Sequence, residues 1–173
     1  MSARKAIRHK IIERLMDKTR AEDRVFSNPA RNVWQESLPA ILVYSRAEQV
    51  EDFSSAPREL RRRLRITVEA LAALDENLDD ELDDLTDEIE QALGADETLN
   101  GLCSDMVLEE IAMQLQGDGN TAIGTASMTY VVTYFSELVD NSEIVPLEGI
   151  DVAYDLKPSE IVEARDEIDL PQD

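Results

Sequence analysis

The sequence predicts an α+β fold, a small and mostly antiparallel sheet packed by two helices, with an acidic C-terminal extension. Three observations carry this. Two segments place apolar residues at helical spacing, several others alternate with a period of two, and the order runs helix, strand, strand, helix, strand, strand. The chain has 173 residues, of which 43% are hydrophobic, enough for one packed domain and an appendage. The expected division is an α+β domain over 1–138 and an acidic arm or tail over 139–173.

The first element is a helix over 3–20. Ile7, Ile11, Ile12 and Leu15 form its apolar stripe, and Arg4, Lys5, Arg8, Arg14 and Lys18 lie between them. Lys18 and Arg20 fall near its end, where cations suit the helix dipole. The basic face suits an acidic partner, but an ordinary amphipathic helix with a solvated basic face is the simpler explanation. Asn28-Pro29 opens a loop. After Pro39, Ala40-Ile41-Leu42-Val43-Tyr44 is an apolar run of strand formers, buried on both faces. Residues 48–59 are polar, contain Ser54-Ser55 and Pro57, and read as a mobile loop.

A period of two follows. Leu60, Leu64, Ile66, Val68 and Ala70 share one face with Arg62, while Arg61, Arg63, Arg65, Thr67 and Glu69 share the other. The arginine row has no aromatic residue among its sequence neighbours, so the stacking platform of a single-strand nucleic-acid binder is missing. A solvated or inter-subunit face fits better, and Arg61, Arg63 and Arg65 become the candidate subunit interface.

The second helix spans 75–93. Asp75 is its expected cap, and Leu78, Leu82, Leu85, Ile89 and Leu93 form a core stripe ended by Gly94. Its other faces are acidic, and Asp79, Asp80, Asp83, Asp84 and Asp87 are the candidate channel or partner face. Asp75-x-Asn77-x-Asp79 starts like a calcium loop. It then fails, with Asp80 at the glycine position and Thr86 at the closing glutamate position.

Alternation returns at 107–115, with Val107, Ile111, Met113 and Leu115 beside Glu109 on one side and Leu108, Glu110, Ala112 and Gln114 on the other. Gly117-Asp118-Gly119-Asn120 signals a hairpin. The return strand, Ala126 to Phe135, puts Met128, Tyr130, Val132 and Tyr134 on one face, and Gly124 before it marks a bulge or a close backbone approach. Beyond Leu138, the short clusters Ile144-Val145, Ile150-Val152 and Ile161-Val162 sit in an acidic stretch that keeps no long period.

Net charge is −21, unevenly placed: residues 1–65 hold 15 Lys and Arg against 9 acids, and 66–173 hold 2 against 29. General nucleic-acid binding is disfavoured, because phosphates need cations. No apolar run approaches the roughly 18 residues of a spanning helix, and the basic N-terminus lacks the apolar stretch of a signal peptide. The chain is expected to be soluble and intracellular as it folds. One cysteine, Cys103, and one histidine, His9, exclude an internal disulfide, thiolate clusters and multi-histidine metal sites. Cys103 reads as a small core filler and His9 as an exposed polar residue. Without a phosphate loop, a nucleophile-base pair or an isolated carboxylate pair, no catalytic residue, cofactor or metal is expected.

The order of elements, the Leu38-Pro39-Ala40-Ile41-Leu42-Val43-Tyr44 strand, the acidic Asp79-Asp80-Glu81-Leu82 helix and above all Met128-Thr129-Tyr130-Val131-Val132-Thr133-Tyr134 as last strand resemble the tail terminators of lambda-type long-tailed phages, the minor tail protein U family, over about 3–137. The resemblance implies a non-enzymatic virion protein. Six copies would form a homohexameric ring that caps the completed tail tube, stops its polymerisation and presents a docking surface for the head-tail connector. Its partners would be itself, the major tail tube protein and the connector, with DNA passing through the ring without specific binding and no membrane involved. Neither the 139–173 extension nor the arginine row belongs to the family pattern. Opposite charge in the two stretches suits head-to-tail contacts. The rival readings are an acidic mimic of DNA that inhibits a nucleic-acid-binding protein, and another neck adaptor of the head-tail joint.

Overall fold

Apolar residues at every second position need a cover on one side of a sheet, and the two amphipathic helices supply it. The computed structural model describes residues 2–27, 37–55, 57–73, 77–118, 121–137, 149–153 and 165–169, with backbone alone at 115–118, 121–122, 149–153 and 165–169. Contacts divide the chain into two units, Met1–Leu138 and Val139–Asp173. The first contains α1 (Ala3–Leu15), β1 (Val25–Phe26), β2 (Ala40–Ser55), β3 (Arg58–Ala73), α2 (Leu78–Gly94), β4 (Asp105–Asp118) and β5 (Thr121–Glu137). The sheet order is β1-β2-β3-β5-β4, antiparallel throughout except for the β1–β2 pair. The predicted α+β class is what the chain adopts, and β1 is an unexpected addition. The second unit contains β6 (Gly149–Ala153) and β7 (Arg165–Asp169), an antiparallel pair that the sequence pattern did not announce. The loop at Asn28-Pro29, the cap at Asp75 and the apolar pairs Ile144-Val145 and Ile161-Val162 lie outside the described residues.

The core lies between the helices and one sheet face. Ile7, Ile11 and Leu15 of α1 meet Leu82, Leu85, Ile89 and Leu93 of α2 over Leu64, Ile66, Val68, Met128, Tyr130 and Val132. Fully burying each large apolar side chain contributes about 1.5–3 kcal/mol, so this layer dominates stability. Apart from the half-buried Ile12, both predicted stripes are therefore buried, as is the Met128–Tyr134 face of β5. The run 40–44 is buried on both faces as expected: Ile41 and Val43 join the main core, while Ala40, Leu42 and Tyr44 join Leu71 in a small cluster of their own. Gly124 lies where β5 passes beneath the first turn of α2, and a Cβ there would collide with the side chain of Leu78. The close-approach reading of that glycine holds.

Three expectations are corrected. The first helix stops at Leu15 rather than near residue 20, because Met16 is extended and Asp17 takes a positive φ of 58°. Lys18 and Arg20 therefore lie past its end, and Arg20 reaches α2 instead of serving the α1 dipole. The described residues of 48–59 form strand rather than a mobile loop, for β2 continues to Ser55 and β3 begins at Arg58. Their polar composition has a different cause: from Ser45 onward β2 is exposed or half-buried, because it runs out beyond most of the helix-covered core. From Gln49 to Ser55 this outer part of β2 is about 20 Å long at strand rise.

The third correction concerns β4. A bulge between Leu108 and Glu110 resets its alternation, so Met106 and Leu108 pair with Val132 and Tyr130 of the core face. Beyond the bulge Ile111 and Met113 take that same face, opposite Met128 and Ala126, and only Val107 remains on the other. One extra residue at Glu109 breaks the uniform period that the sequence suggests.

Candidate functional site

Two surfaces carry the charge. The first is the projecting wing of β2, β3 and β5. Pairing sets Arg61 between Glu51 and Phe135, Arg63 between Gln49 and Thr133, and Arg65 between Ala47 and Val131. Side chains directly opposite one another share a sheet face, so the three arginines stand in one row away from the helices. Arg61 Nη2 donates to Glu51 Oε2 at 2.5 Å, Arg65 Nη2 lies 2.9 Å from Glu109 Oε2, and Arg58 Nη2 lies 3.0 Å from Asp52 Oδ1. The Arg61 hydrogen bond holds the Glu51 carboxyl below the usual carboxylate range. Arg63, in the middle, makes no ion pair among the described residues and is exposed.

Aromatic groups join this row through space. Phe53 packs on Phe135 with centroids 4.8 Å apart and planes tilted by 59°. They are 56% and 39% exposed, and Val107 at 49% extends the same face toward β4. The absence of aromatic neighbours was true along the chain and untrue across the sheet, since Phe135 comes from 74 residues beyond Arg61. Only the pairing register carried that signal. Arg62, on the helix side, takes no part in the row. Its Nη1 donates to Glu48 Oε2 at 3.0 Å and its Nε to Ser136 Oγ at 2.7 Å, and the Tyr134 hydroxyl also donates to Glu48. Burial, followed by that hydrogen bond, raises the Tyr134 phenol to about 12.

The second surface is α2. Asp79, Asp80, Asp83, Asp84 and Asp87 are all exposed. Asp84 is engaged within the chain: Arg20 Nη2 donates to it at 2.9 Å, and Arg20 Nε and backbone N–H donate to Glu88 at 3.1 and 2.7 Å. That clip neutralises acids late in the helix, where the dipole disfavours them. Asp79, Asp80, Asp83 and Asp87 make no ion pair among the described residues. The sequence-predicted residues thus fall into two groups on separate elements. Within one chain the structure does not bring the arginine row and the acidic helix together.

Neither surface resembles a reaction centre. Cys103 is buried, and burial raises its thiol to about 11, far from a reactive thiolate. His9 is exposed beside Ile12, Met16, Val25 and Phe26 in an open groove between α1 and β1. Among the described residues no three His, Cys, Asp or Glu side chains are grouped to hold a metal ion. No helix among them is long and apolar enough to cross a membrane.

The family model of phage minor tail protein U matches residues 2–134, from the start of α1 almost to the end of β5. The comparison with curated proteins returns no match. The matched stretch covers the whole helix-and-sheet core and leaves 139–173 outside. With that core, two charged surfaces and well over half its length matched, this chain belongs to the phage minor tail protein U family and has a structural role in the phage tail.

Proposed function

We propose that this chain is the subunit of a closed, six-membered ring that caps the completed tail tube. In that place it stops polymerisation of the tube protein and offers the head connector its docking surface. The observation that carries the reading is the separation of an arginine row on β3 from an acidic helix on the same subunit. Two different patches that complement each other make heterologous contacts, which close into rings when the rotation allows.

Spacing supports the match. Arg61, Arg63 and Arg65 repeat about every 6.8 Å along a strand, and Asp83, Asp87 and Glu90 about every 4.5–6 Å along a helix. Opposed charge sets orientation and register more than raw affinity. In the same reading Asp79 and Asp80 border the channel, where an acidic lining keeps passing DNA from sticking. The 139–173 segment acts as an arm that packs on a neighbouring subunit or on the connector, and assembly of the virion protein takes place in the host cytoplasm.

Native mass measurement tests the ring directly. Six chains are expected in the assembled state. A monomer or dimer at every concentration would instead favour an acidic DNA mimic, which has no use for a ring.

A further inference from the structure

Between the C-terminal half of α2 and the edge strand β4 lies a cleft of about 160 Å³, lined by Glu90, Leu93, Glu97, Met106, Leu108 and Tyr130. Its floor holds a polar group with nothing to bond. Tyr130 is only 4% exposed, and its hydroxyl has no hydrogen-bond partner among the described residues. A buried hydroxyl left unsatisfied destabilises the fold, so the position favours a ligand that supplies the missing bond. The walls are apolar at Leu93, Met106 and Leu108, and the two carboxylates are exposed at 90 and 97. An aliphatic stem ending in a cation fits that chemistry: the stem packs on the walls, and the head donates to the carboxylates and to the phenol oxygen.

We infer that this cleft receives the Arg63 side chain of a second copy of this chain, as the keyed contact of the ring seam. The inference rests on the proposed ring and names the partner of its acidic surface. Arg63 is the exposed member of its row without an ion pair among the described residues. It cannot enter its own cleft. Arg63 stands on the sheet face opposite the helices, whereas Met106, Leu108 and Tyr130 stand on the helix face. The contact therefore joins two different patches on two subunits, the head-to-tail geometry that a ring requires. Its planar fork of donors suits two carboxylates and a hydroxyl better than a lysine would.

Assembly of the full chain over a protein concentration series, read by sedimentation velocity, decides the matter. Both Arg63 and Glu90 are exposed, so Arg63→Glu and Glu90→Arg leave the fold intact, which circular dichroism verifies. Each single variant is expected to need about tenfold more protein to assemble, and the double variant to recover to within about threefold of the wild type. Tyr130→Phe, which removes only the hydroxyl, should weaken assembly about threefold while leaving the monomer folded. Wild-type rings that ignore both single substitutions, or a double variant worse than either, overturn the cleft contact and leave the ring reading standing. A wild-type chain that stays monomeric throughout overturns both.

Discussion

The helix-covered half of the sheet and its projecting wing are built from the same three strands by different physics. Under the helices, β3 and β5 present Leu64, Ile66, Val68, Met128 and Val132 to a dry layer of leucine and isoleucine. In the wing the same strands continue, but cross-strand ion pairs and a half-exposed Phe53–Phe135 pair replace the core. The first half is held by area removed from water. The second is held by backbone ladders and by charges that water screens. A strand can therefore outrun its core when its neighbours continue with it, and the wet end is then free to serve assembly.

The largest expected effect lies in the dry half. Ile89 and Leu85 are fully buried, and truncating either to alanine should cost about 2–5 kcal/mol of unfolding free energy. Urea melts of the single variants measure it. A loss below about 1 kcal/mol would mean that α2 is only loosely seated. Next comes Gly124→Val, where the new side chain meets Leu78 and overpacking costs about 1–3 kcal/mol. Pairing it with Leu78→Ala should recover part of that loss, because the cavity admits the added atoms. If the pair adds without recovery, the close approach is not what demands glycine there.

The boundary between the halves gives an intermediate case. Glu48 has a side chain only 9% exposed and accepts from Arg62 and Tyr134, so Glu48→Ala strands a guanidinium and a phenol that face inward. A cost of about 1–3 kcal/mol is expected, more than for an exposed ion pair. In the wing proper, Phe53→Ser should cost less than about 1 kcal/mol, since more than half of the ring is already in water. Reversing Arg61, Arg63 and Arg65 to Glu should likewise spare the fold, yet drive the assembled protein toward monomers in sedimentation. A triple variant that sediments like the wild type would remove the row from the seam.

This division also explains what the sequence made legible. The stripes at Ile7, Ile11 and Leu15 and at Leu78 to Leu93 had a dry side to satisfy, and so did the Met128–Tyr134 face. Burial writes a period into sequence, and those periods were readable. Most of the outer part of β2 has no dry side, so residues 48–59 carry no period and read as a loop, although 48–55 end β2 and 58–59 begin β3. Cross-strand neighbours escaped for another reason. Phe135 beside Arg61 depends on register between distant segments, and the bulge at Glu109 inverts the face of every later residue in β4. The acidic surface was visible as composition. The cleft beside it was not, because Glu90, Met106 and Tyr130 come from three elements.

The smallest effect asks whether charge matters in the dry half as well, and Asp96 is the place to look. It follows α2 and accepts from the Thr98 hydroxyl and backbone N–H and from the Asn100 N–H, while Arg14 of α1 pairs with it from across the helix layer. The Thr98 hydrogen bond first, with the Asn100 N–H next, holds its carboxyl down at about 2, below its ordinary 3.8. The folded state thus prefers the ionised form more strongly than the unfolded chain does. Above pH 3.8 both states are ionised and the full stabilisation is present. As pH falls from there the unfolded chain takes up its proton first, and the contribution is lost progressively down to about pH 2. Asp96→Asn removes the titrating group, so the wild-type midpoint in urea should fall more steeply with acid between those limits than the variant's. Equal slopes would mean that the turn after α2 is held by its backbone and by Leu99, which is fully buried, and that charge is confined to the surfaces used for assembly.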